Sequence, residues 1–131
     1  IDQRLTEIDL CLRAKAPLAV IFLCGSTLEG LLFAIAEKNP KHFNQAKAAP
    51  SRDGKPKPLG DWSLQNLIDV SRELGLVGED VAKHAHAVRD FRNYIHPRQQ
   101  IRENFTPRMV TAEIADKVLK AAIADLTQLG K

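Results

Sequence analysis

At 131 residues the chain is long enough to bury one continuous hydrophobic core and too short for two ordinary domains. Apolar residues make up 44% and charged residues 27%, which excludes a disordered or fibrous chain. A formal net charge of +3 is too small for a general polyanion binder, so local charge matters more than the total.

Leu5, Ile8 and Leu12 recur at helical spacing and predict a first helix, ended near Pro17, which suits the first turn of the next. From Leu18 to about Lys38 apolar residues lie almost all round the cylinder, as in a central helix packed on several sides. Gly25 and Gly30 in that helix would permit close approach of a neighbour. The longest apolar run, Leu18 to Cys24, falls short of a membrane span, and Glu29 interrupts the apolar pattern beyond it. No secretory leader can be made out. Beginning at Ile1 without methionine, the chain is expected to be a trimmed or excised domain. Cys11 and Cys24 are too few for a secreted disulfide framework, which predicts a reducing cytoplasm.

Residues 39–60 carry four prolines and two glycines with almost no apolar periodicity, and predict a long Pro/Gly-rich loop between the second and third helices. Asp61 or Ser63 then caps a helix whose stripe is Leu64, Leu67, Ile68 and Leu74, with Gly75 as its stop. Trp62 just before it reads as a hydrophobic staple. Glu79 and Asp80 open a further helix that should run to His96, because Pro97 disfavours helical geometry before it. Thr106 and Pro107 predict the cap and first residue of a last helix lined by Ile114, Val118, Ala122 and Leu129, and closed by Gly130. No strand of credible alternation appears. The expected fold class is all-α: an antiparallel bundle of about five helices forming one domain over 1–131.

Two stretches concentrate positive charge. Lys41 to Lys57 holds five basic residues against Asp53, and Arg89 to Arg108 holds five arginines against Asp90 and Glu103. At about 100° per residue, Arg89, Arg92 and His96 share one ridge of the helix, with Asn93 on its shoulder. Val81, Val88, Phe91 and Ile95 form an adjoining face fit for the core, while Asp90 and Tyr94 point elsewhere.

The run Arg89-Asp-Phe-Arg-Asn-Tyr-Ile-His-Pro97 resembles the signature of the HEPN superfamily, small helical domains in which an Arg, often followed by Asn, precedes a His on one helix. The layout is similar too, from the hydrophobic central helix through a variable insertion to the signature helix and a closing helix. The family usually places four to six residues between Arg and His. Here Arg92 and His96 have three between them and Arg89 and His96 six, so either Arg89 is the formal match or the motif is a compressed variant.

The resemblance implies a homodimer through the Arg89–His96 helix acting on RNA: a metal-independent endoribonuclease of toxin, antiphage or stress type. His96 would move the proton, Arg92 and Arg89 would grip the phosphate, and Asn93 would orient the histidine or the scissile group. Arg98, Arg102, Lys55 and Lys57 would bind the rest of the RNA. The alternative is a non-catalytic adaptor that binds RNA, a nucleotidyltransferase-type partner or another protein. Plain structure offers a third reading, in which the arginines pair with acids elsewhere and the histidine caps its helix.

No cofactor and no metal are expected. His84 and His86 diverge by about 200° on a helix and cannot chelate one ion. His42 stands in the loop, and neither cysteine belongs to a Cys-x-x-Cys pair. Phosphate-cradling glycine motifs and a serine-nucleophile elbow are missing from the sequence.

Overall fold

In chain order the computed structural model, which describes residues 2–93, 98 and 106–128, holds α1 (Asp2–Arg13), α2 (Pro17–Lys38), α3 (Pro40–Gln45), β1 (Ser51–Arg52), β2 (Lys55–Pro56), a single 3-10 turn (Leu59–Asp61), α4 (Leu64–Glu73), α5 (Glu79–Asn93) and α6 (Met109–Gln128). The chain is an all-α bundle with one small hairpin. Its centre is α2, against which α1, α4, α5 and α6 all pack. Val20, Ile21, Cys24, Leu28, Leu32 and Ala36 of α2 are buried, so it is apolar on several sides because it has neighbours on several sides. Judged over all 22 residues rather than its longest unbroken apolar run, α2 is also long and apolar enough to cross a membrane by length and composition. In this fold it is the core helix.

Local chemistry sets the helix ends. The α1–α2 turn is a Schellman closure, with Lys15 N–H bonded to Leu12 O (3.1 Å) and Ala16 N–H to Cys11 O (3.0 Å). Lys15 takes the left-handed conformation this requires (φ 56°), a place where glycine is more usual. Ser63, not Asp61, caps α4. Its hydroxyl accepts from Asn66 N–H while the Asn66 side chain accepts from Ser63 N–H, a complete capping box. At the far end Gly75 (φ 75°) closes a second Schellman motif, with Leu76 N–H bonded to Ser71 O at 2.9 Å. Leu64, Leu67 and Ile68 are fully buried as their spacing predicts, and Leu74 is half-buried.

Residues 39–60 are not the unstructured loop that their composition predicts. Pro40 starts α3, where its missing N–H costs nothing, and Phe43 one turn on is completely buried. Asp53 (φ 55°) and Gly54 (φ 78°) make the tight turn of the β1–β2 hairpin, in which Arg52 pairs with Lys55 and Ser51 with Pro56. Both peptide N–H groups at Lys47 and Ala48 donate to the Glu73 carboxylate, at 2.7 and 2.9 Å, and tie the insertion to the end of α4. Trp62 is buried against Phe43, ring centroids 6.1 Å apart, and its indole N–H donates to Lys57 O at 2.9 Å.

The last helix begins two residues later than Thr106 and Pro107 suggest. Arg108 occupies the cap position, its N–H reaching Thr111 Oγ1 at 3.5 Å and its carbonyl accepting from Ala112. Pro107 is buried just outside the helix. Ala112, Ala115, Val118, Leu119 and Ala122 carry the buried face of α6. Ile114, expected on that face, is 42% exposed beside His84, while Leu129 and Gly130 lie outside the described residues.

Candidate functional site

Gly25 and Glu29 stand one turn apart on α2, and Arg92 of α5 fits across both. Its aliphatic stem lies so close to Gly25 that a Cβ there would meet Arg92 Cδ at 2.9 Å and Cγ at 3.4 Å. Its Nη1 donates to Glu29 Oε2 at 3.0 Å. The close approach that glycine permits is therefore made at Gly25, and the neighbour is an arginine. Glu29 stands in the apolar middle of α2, and Arg92 pairs with it from 63 residues away in sequence. Both side chains are half-buried, so the pair adds no more than about 1 kcal/mol of stability. What it does is fix the guanidinium. The Nε and Nη2 edge of Arg92 carries no hydrogen bond among the described residues, and has the geometry for a bidentate acceptor.

Arg89 shares the half-buried side of α5 with Arg92, and Val81 and Val88 beside them are buried in the core as the helical arithmetic predicts. Asp90 is on the surface as expected, yet it is tied to this ridge. Arg89 bonds to it through Nη2 at 2.8 Å and Nε at 3.3 Å. Asn93 ends the described part of α5, and its side chain, together with His96 and Arg102, lies outside the described residues. Arg98 is exposed. Lys55 stands on the exposed hairpin, and Lys57 is half-buried with its carbonyl holding Trp62. No hydrogen bond or ion pair among the described residues joins Lys55, Lys57 or Arg98 to the Arg92–Glu29 pair.

Beside the pair a recess of about 330 Å³ opens between α2 and the chain entering α4. Phe33, Trp62 and Leu67 wall it, Gly30 and Gly60 leave its rim bare, and Ser26 and Glu29 are its polar groups. Among the described residues no atom lies within 4 Å of an ideal Cβ at Gly30, so their packing does not ask for glycine at this helix interior. Sequence reasoning missed Glu29 as a site residue, although an acid in the middle of an apolar stretch, one turn from a glycine, was the signal for it.

The histidines divide as their spacing requires. His84 is exposed on the α5–α6 side, whereas His86 turns to α4, its Nε2 lying 2.9 Å from Asp69 Oδ1. Groups of three or more residues able to hold a metal ion are absent among the described residues. Cys24 is no nucleophile: burial first, then the nearby Asp116 carboxylate, push its thiol from 9.0 up to about 12. The unfolded chain therefore loses this proton before the folded one, and stability is intact below pH 9 and falls as pH rises from 9 towards 12. Cys24→Ala is expected to flatten that alkaline decline by about 1 kcal/mol per pH unit. Urea midpoints of both proteins at pH 8 and pH 10.5 check it, and parallel declines would refute it.

Compared with family models, curated proteins and solved structures, the chain matches none.

Proposed function

We propose that the chain is a HEPN-like domain acting on RNA, a metal-independent endoribonuclease of toxin, antiphage or stress type that works as a homodimer through α5. The observation that supports this reading is Arg92: its stem is seated in the Gly25 notch, Glu29 orients its guanidinium, and its Nε and Nη2 edge makes no hydrogen bond among the described residues. It stands on the same helix as Arg89 and directly before the Asn-Tyr-Ile-His of the signature.

The residue types then supply the chemistry. A ribose 2′-hydroxyl loses its proton to one imidazole and attacks the adjacent phosphorus. The bond to the 5′-oxygen breaks as a second imidazole gives that oxygen a proton, leaving a 2′,3′-cyclic phosphate and a 5′-hydroxyl. His96 from each of two subunits would supply the imidazoles, with Arg92 and Arg89 stabilising charge on the phosphorane. Asn93 orients the histidine, while Arg98, Arg102, Lys55 and Lys57 hold flanking phosphates. The two free thiols suit a reducing cytoplasm.

A non-catalytic role has its own support, because both described arginines of the ridge pair with acids, Arg92 with Glu29 and Arg89 with Asp90, as the plain structural reading expects. One experiment separates the two. Purified protein in EDTA is expected to cut RNA to cyclic-phosphate ends, and His96→Ala to abolish cutting while keeping RNA binding. RNA bound but uncut by the wild type would favour the adaptor, and equal cutting by His96→Ala would expose a contaminant.

A further inference from the structure

Glu29 belongs to two places at once: it orients Arg92 through Oε2, and it lines the recess beside that arginine. Arg92 does not itself line the recess, but its Nη1 lies 3.0 Å from Glu29 Oε2, so the guanidinium is one hydrogen bond away from a group that does. Apolar walls from Phe33, Trp62 and Leu67, a rim without side chains at Gly30 and Gly60, and a carboxylate as the only charged lining group among the described residues suit a flat heteroaromatic ring with N–H donors at its edge. The second oxygen of Glu29, Oε1, makes no hydrogen bond among the described residues and can accept from such a donor. A cation for a phosphate and an acceptor for an amine, one contact apart, match the two ends of a nucleotide.

We propose that this recess is a nucleobase subsite, taking one nucleotide of a bound RNA with its phosphate on Arg92 and its base against Phe33 and Trp62. The base is one carrying an exocyclic amine, cytosine, adenine or guanine, whose N–H donates to Glu29 Oε1. Uracil's one edge donor, N3–H, stands between two carbonyl oxygens, so its bond to the carboxylate is opposed by their repulsion and is the weakest of the four. Gly30 acquires a reason here that the chain alone does not give: any side chain at that rim would stand in the way of the ring.

The subsite rests on the RNA reading for its biological meaning, but its test does not need cleavage. Trp62 is the only tryptophan, so intrinsic fluorescence reports occupancy of the recess directly. Titration with CMP, AMP, GMP and UMP is expected to change that fluorescence most for the first three, with UMP binding about tenfold more weakly because carbonyl repulsion offsets its one charge-assisted hydrogen bond. Glu29→Gln should bring all four to the UMP level. Gly30→Leu, which leaves the Arg92–Glu29 pair untouched and has room for its Cβ, should abolish the response while the far-ultraviolet dichroism stays native. Equal response to all four nucleotides, or none to any, overturns the subsite, as does discrimination that survives Glu29→Gln. RNA cutting without a fluorescence response would leave the nuclease standing and the subsite gone, whereas the expected fluorescence pattern without cutting would do the reverse.

Discussion

Gly25→Val is expected to dislodge Arg92 and, under the proposed nuclease reading, to lower RNA cleavage by about 10²- to 10³-fold, the usual loss when one preorganised donor to a transition state is removed. A Cβ alone would sit 2.9 Å from Arg92 Cδ, inside any normal contact, and valine adds two methyl groups. Arg92 Cδ is in the middle of its side chain, not at a free end, so relief requires the whole stem to swing away and the bond to Glu29 to break. Such overpacking costs roughly 1–3 kcal/mol of stability. A double-mutant cycle isolates the cause. If the clash is with the arginine, Gly25→Val in an Arg92→Ala background should cost far less stability than in the wild type and lower cleavage no further. Additive effects of the two substitutions in stability and cleavage would place the valine clash elsewhere and leave the Gly25 notch without a role in holding Arg92.

The legibility of this site in the sequence divides by range. Ser63, Gly75 and the buried side of α5 are readable because caps and helical faces depend on residues within one or two turns. Arg92 could be singled out by its place beside Asn93 and on the Arg89 ridge. Its partner could not, since nothing local links position 92 to position 29. The half-readable clue was chemical: a carboxylate at Glu29 in the most apolar helix had to be satisfied by something.

The insertion failed for a different reason. α3 has six residues, too few to show a period, and the strands Ser51–Arg52 and Lys55–Pro56 have no apolar alternation. Asp53-Gly54 is nevertheless a strong hairpin signal, overridden by the surrounding prolines. At α6, Thr106-Pro107 fits a helix start by residue type, but backbone bonding begins at Arg108, whose N–H is met by Thr111.

That insertion carries the largest expected loss of stability, at Phe43. The ring is completely buried and meets Trp62 in a tilted arrangement, interplanar angle 42°. Phe43→Ala is expected to cost about 3–5 kcal/mol, a sizeable share of what holds an ordinary domain together. Its consequence should be local before it is global. Without the ring, Trp62 loses its packing partner, and the segment from α3 to the hairpin stays joined to the body chiefly by the Glu73 carboxylate and the indole bond to Lys57. Hydrogen exchange should therefore quicken first at the amides of Lys47 and Ala48, while those of α2 keep their protection. Trp62 emission should shift to the red, as its surroundings grow wetter, at denaturant concentrations where helical dichroism is still native. Coincident loss of all three signals would mean that the insertion and the bundle form one cooperative unit. The Phe43–Trp62 contact would then stabilise the α2 core itself, and the recess beside Glu29 would persist for as long as the fold does.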